Sequence, residues 1–164
     1  DKHAAHERMM YKQIKENISY GNRQVLLSSM TLTLSPEDYL AIIQNPDYTE
    51  KLGFLIEDFG GYTIIVREVP IELGEKDIEY TVNEIIENIK TNVDYDSASH
   101  LDKLYFSIAC KSAVRAKDKS SFFEMEDLIE KLKRNPDITH CPHGRPVSVR
   151  LSKNEIEKMF GRLG

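Results

Sequence analysis

The sequence predicts an α+β protein of two lobes: a metal-holding lobe built from both chain ends, and an α/β lobe inserted between them. Three observations carry that prediction. Side chains that favour metals cluster near the two ends, at residues 1–24 and 99–164. The stretch between them, residues 25–98, contains a β-hairpin signal and is strongly acidic, with fifteen acidic against four basic residues from Ser35 to His100. Helical periodicity flanks that stretch on both sides. Residues 1–24 plus 99–164 are therefore assigned to the first lobe and 25–98 to the second.

In chain order, His3 to about Ile18 reads as a helix, because His3, Glu7, Met10 and Ile14 recur at helical spacing. Gly21-Asn22 breaks it, and Val25 to Leu34 is β-rich. Ser35-Pro36-Glu37-Asp38 combines an N-capping serine with proline at the first helical position, and the helix it opens stops at Asn45-Pro46. Phe54 to Phe59 and Tyr62 to Val69 form a hairpin through Gly60-Gly61, closed by Pro70. Lys76 to about Lys90 is amphipathic, with Ile78, Val82, Ile85, Ile86 and Ile89 on one side. After a small polar hinge at Ser97-Ala98-Ser99, a helix runs from about Leu101 to Ala116. Ser121 with Glu124 opens another to about Arg134, Pro146 to Leu151 alternates like a strand, and Ser152 with Glu155 is a capping box for a last helix.

Metal chemistry is written most plainly in Cys141-Pro142-His143-Gly144-Arg145-Pro146, where a thiol and an imidazole stand two residues apart on backbone that two prolines and a glycine keep out of a helix. Near the start, His3 and Glu7 lie at i and i+4, one above the other on a helix face. Neither cluster offers four ligands. Together with Cys110, in Ala109-Cys110-Lys111-Ser112-Ala113-Val114, they supply the S, N and O donors that zinc or a borderline metal prefers. Two cysteines among five histidines fit a reducing compartment, where shared ligation is favoured over a Cys110–Cys141 disulfide.

At 164 residues the chain can bury a core without disulfides, and it has no apolar run near the roughly 20 residues of a membrane helix. It opens on Asp1 in the middle of the first cluster, which reads as a piece of a longer protein. Lys131 to Gly164 holds eight basic and three acidic residues, so the basic C-terminal end is the only face suited to phosphate, while the acidic middle repels it.

These clusters, in this order, resemble the C-terminal endonuclease domain of the MutL family of DNA mismatch-repair proteins. Asp1, His3, Ala4 and Glu7 match its Asp-Gln-His-Ala-x-x-Glu motif, with Lys2 in place of Gln and Lys12 where a second Glu follows. The Ala-Cys-Lys-Ser-Ala run, the Cys-Pro-His-Gly-Arg-Pro run and Phe160-Gly161-Arg162 resemble its later motifs. The resemblance implies a metal-holding dimerisation subdomain, an external regulatory subdomain, and nicking of DNA by phosphodiester hydrolysis. It implies that His3, Glu7, Cys141 and His143 hold a zinc ion with Cys110 adjacent. Asp1 would help to hold a catalytic manganese or magnesium, so that Asp1, His3 and Glu7 serve catalysis. Arg145 and Arg162 would lie near DNA. Implied partners are a second copy, a mismatch-recognition protein and, through Gln24 and Leu27, the replication sliding clamp, although Ser29 stands where the clamp motif has proline. The family keeps an ATP site in a separate N-terminal domain and works in the cytoplasm. The alternative is a catalytically weak dimerisation module with a structural zinc.

Overall fold

The computed structural model describes residues 1–91, 94–115, 121–141 and 143–162, and side chains for all of these except 112–115. Pro142 of the clip and the expected helix end at Ala116 lie outside the described residues, as do the side chains of Ser112, Ala113 and Val114. The architecture is mixed α+β.

Helix α1 (Lys2–Ser19) is capped by the Asp1 carboxylate, which accepts from the His3 and Ala4 amides at 2.9 and 3.1 Å. Gly21, at φ +70°, turns the chain out of the helix. Strand β1 (Arg23–Thr33) follows, then α2 (Pro36–Ile43), opened by Ser35 and Pro36 as the sequence predicts. Proline at Asn45-Pro46 does more than stop α2. It starts α3 (Pro46–Lys51), which the sequence reading lacks, because a proline that cannot continue one helix is well placed in the first turn of the next.

Strands β2 (Leu55–Gly60) and β3 (Thr63–Pro70) complete a three-stranded antiparallel sheet of order β1-β3-β2. Central β3 is apolar on both faces, with Ile64, Ile65 and Val66 buried, whereas β1 and β2 are edges. Gly60 pairs with Thr63, so the hairpin turn is Gly61-Tyr62, one residue later than the glycine pair suggests. Both turn residues have positive φ, 57° and 58°, as a type I′ turn requires. Gly60 instead sits at a register shift, its amide held by Asp58 Oδ1 at 2.7 Å. Tyr62 tolerates its left-handed backbone while its ring packs edge-on against Tyr39, 5.7 Å away. In β1, Val25 faces Glu68 and Met30 faces Val66, so that the four residues 26–29 oppose Arg67 alone.

Helices α4 (Glu75–Thr91), α5 (Ala98–Arg115), α6 (Phe122–Arg134) and α7 (Lys153–Met159) follow, the last two each carrying the expected capping box. Ser97-Ala98-Ser99 is thus the start of α5 rather than a hinge before it, with Ser97 Oγ bonded to His100 Nδ1 at 2.9 Å. Pro146 to Leu151 is not a strand. Among the described residues it makes one bridge, Pro146 to His140, because no neighbouring strand offers it a ladder, and Val149 and Leu151 stay exposed.

Two apolar clusters form. The larger joins Ile14 of α1 and Leu104, Ile108 and Ala109 of α5 to the sheet and to Ile78, Val82, Ile85 and Ile86 of α4. The smaller gathers Ala4, Ala5, Leu128, Ile138, Cys141 and Val147. Helix α1 contributes to both, its first turns to the small cluster and its last to the large one.

Candidate metal centre

Helices α1 and α5 run antiparallel. Lys15 Nζ meets Asp102 Oδ1 at 2.9 Å at one end of their contact, and Glu7 meets Cys110 at the other, with Sγ to Oε1 at 3.9 Å. The segment after α6 then brings His143 up to the same carboxylate, Nδ1 to Oε2 at 3.4 Å. One ligand atom each from Glu7, Cys110 and His143 falls within 4.8 Å of the others. His3 approaches Glu7 from the preceding turn, Nε2 to Oε1 at 2.9 Å, as i,i+4 spacing dictates.

Glu7 is the centre of this arrangement and is only 6% exposed. A carboxylate so deeply placed needs compensating partners. Here they are two imidazoles and a thiol, a donor set that suits zinc. Burial first, and the Glu7 charge second, push the Cys110 thiol up to about 11, so without a cation the thiol holds its proton. Cys141 lies in the small apolar cluster, close enough to Cys110 to add to that upward push but outside the compact group of three. Both cysteines are free.

The clip owes its shape to its own backbone. The Cys141 amide donates to Arg145 O, and the Gly144 amide to Cys141 O, both at 2.8 Å, while Gly144 adopts φ +79°. His143 is thereby lifted to the surface, its ring edge-on to Phe106 at 4.3 Å. Phe106 was not singled out from the sequence. It stands one helical turn before Cys110, and that i,i+4 relation is the signal that it shares the thiol's face.

The remaining sequence-predicted residues scatter. Asp1 is outside the group of three and serves as the α1 cap. Arg145 and Arg162 are exposed. Gln24 is committed to the fold, its Nε2 donating to Pro70 O and Leu73 O at 3.0 and 2.6 Å, whereas Leu27 is fully exposed at 106%. Lys12 points away from Glu7 toward Asn135 and Asp137. Beside Cys110, Lys111 bonds Glu84 Oε2 at 2.7 Å and lies 3.7 Å above the Tyr80 ring, tying α5 to α4.

This donor group, assembled from a helix, an antiparallel partner helix and a proline-glycine clip, is a candidate metal site. Comparison with known proteins gives it a family. Residues 1–120 match the family described as the MutL C terminal dimerisation domain. Over 99% of its length the chain is similar to the DNA mismatch repair protein MutL of Clostridium tetani at 40% identity, of Clostridium acetobutylicum at 35% and of Thermoanaerobacter pseudethanolicus at 34%. The chain belongs to the MutL C-terminal dimerisation family. It spans about a quarter of the length of these relatives, 27%, 26% and 26% respectively, and the similarity to them extends over the clip, which lies beyond the family match.

Proposed function

We propose that the chain is the dimerising C-terminal domain of a DNA mismatch-repair protein and that its metal centre serves the nicking of DNA by phosphodiester hydrolysis. The convergence of Glu7, Cys110 and His143 donor atoms within 4.8 Å, from positions as far apart as 7 and 143, is the observation that carries this reading. His3 and Cys141 complete the ligand set from the borders of that group. Residues 1–24 with 99–164 act as the metal-holding, dimerising subdomain, and 25–98 as the external, regulatory one. Partners are a second copy, DNA and a mismatch-recognition protein acting through the full-length chain. Sliding-clamp contact runs through Leu27 more than through Gln24, whose amide is already engaged. The setting is cytoplasmic. Among the described residues no helix is long and apolar enough to cross a membrane.

A divalent ion held there would polarise a phosphoryl oxygen, and zinc in such a site would bring the pKa of a bound water down to about 7. What the chain's own residues do is separable from that. Glu7 holds the His3 and His143 rings by one nitrogen each, fixing their orientation, and the partly exposed imidazole of His143 opens the group to solvent. Arg145, exposed on the clip, supplies positive charge where a phosphate would approach.

Elemental analysis of the full-length protein should find about one zinc per chain, and a supercoiled plasmid should be nicked when manganese is supplied. Asp1→Asn should abolish nicking and keep zinc and fold, because asparagine caps a helix as well as aspartate does. A second reading, dimerisation with a structural zinc only, is favoured by the use of Asp1 as a cap and of Lys12 as a loop contact. Zinc at full occupancy with no nicking under any divalent metal would decide for it.

A further inference from the structure

We propose that Lys12 is a positioning residue for the metal centre: its ammonium ties the loop that carries Cys141 and His143 to the helix that carries His3 and Glu7. The inference rests on the metal-site reading above. Lys12 follows Glu7 by five positions, which places the lysine roughly 140° around the helix and about 7.5 Å along it, out of reach of the donor group. Its Nζ instead donates to Asn135 Oδ1 at 2.8 Å and to the Asp137 carboxylate at 3.2 and 3.4 Å. Asn135 cannot turn away, because its Nδ2 is spent on Lys131 O at 2.9 Å, at the end of α6. Lys12 in turn holds the Asp137 carboxyl below the usual carboxylate range.

The contact acts on the site because residues 135–141 and 143–147 are hydrogen-bonded to one another. Ile138 N donates to Asn135 O, Thr139 N to Asp137 O, Val147 N to Thr139 O and Cys141 N to Arg145 O, at 3.0, 3.1, 2.9 and 2.8 Å. Helix α1 grips these residues through Lys12. Further along, Ile138 and Cys141 join Ala4 and Ala5 of the same helix in the small apolar cluster. Donors from distant segments bind an ion more tightly when their separation is fixed beforehand, since ordering the loop no longer counts against binding. Lys12 supplies that fixing with a charge-assisted contact that a carboxylate at position 12 would turn into repulsion of Asp137.

The test uses full-length protein and zinc, with release followed by a chromogenic chelator and amide hydrogen exchange followed in the zinc-free form. Lys12→Met, which keeps the stem and removes the charge, should speed zinc release about 10-fold, the lower end of what outer contacts around a metal contribute. It should also speed exchange at the Ile138, Cys141 and Val147 amides. Lys12→Glu should do both more strongly, and Lys12→Glu combined with Asp137→Lys, which restores the ion pair but not the bond to Asn135, should recover both in part, a rescue that a packing defect would not show. Lys153→Met, a remote surface change, should do neither. Unchanged release and exchange in Lys12→Met and Lys12→Glu would overturn the proposal. A parent protein that binds no zinc would reject the metal-site reading instead, while faster exchange in Lys12→Met would still report the tether.

Discussion

The two apolar clusters divide the labour of folding unequally. Among the described residues, seventeen buried ones make the large cluster, drawn from five helices, from β1 and β3 and from the turns beside them, including Phe54, Ile64, Ile78, Ile85 and Ile108, all at or below 1% exposure. Six make the small one, two of them alanines. A core of the first kind is held by hydrocarbon packing on every side. The second holds a segment with little regular structure, residues 135–141 and 143–147, and relies on the polar grip of Lys12 as well as on apolar contact. Most of the hydrocarbon packing thus lies in the large cluster, the candidate ligand Cys141 lies in the small one, and α1 contributes to both.

The deepest break in that division should come from Phe54→Ala. Loss of a fully buried aromatic ring in the large cluster should cost about 3–5 kcal/mol in a urea melt, with zinc or with chelator alike. An effect that depended on zinc would mean that the two regions are not energetically separate. Next in size, Cys141→Ala and His143→Ala should lower the melting temperature in zinc and leave it nearly unchanged in chelator. At free zinc about 100 times the dissociation constant, the difference is about 2.7 kcal/mol. Equal melting of parent and variants in zinc would show that the clip is only a turn.

The same division explains what could be read from the sequence. Elements of the large cluster announced themselves, because the α4 stripe at Ile78, Val82, Ile85 and Ile86 buries the face that its spacing selects, and Ser35, Ser121 and Ser152 cap where local chemistry says they should. The pairing of His3 with Glu7 was legible for the same reason, being fixed by one helical turn. What was hidden depends on contacts between distant segments. The approach of His143 to Phe106 and the reach of Lys12 to Asn135 are decided by neighbours more than thirty residues away, and 146–151 makes no ladder among the described residues beyond the bridge of Pro146 to His140. A local signal also misled: two glycines marked the hairpin, yet the turn needed only the second and took Tyr62 for its partner.

The smallest expected effects separate Gln24 from Leu27. Gln24→Ala should destabilise by about 1–2 kcal/mol, since two carbonyls lose their donor at the end of the sheet. Leu27→Ser should change stability by less than about 0.5 kcal/mol. If clamp affinity, measured by surface plasmon resonance, falls with Leu27→Ser and zinc content does not, the large region has a binding role of its own. Clamp affinity unaltered by Leu27→Ser would leave it a scaffold.

The irregularity of β1 has a consequence for how copies of the protein meet one another in a concentrated solution. Val25 and Leu27 stand on an outer strand whose free side would otherwise invite a neighbouring chain to add itself to the sheet. Residues 26–29, crowded opposite one arginine, spoil the even spacing of amide and carbonyl groups that such an addition requires. The strand can therefore show leucine to solvent without becoming a template for fibres, and trimming those four residues toward a regular ladder would raise the tendency to aggregate.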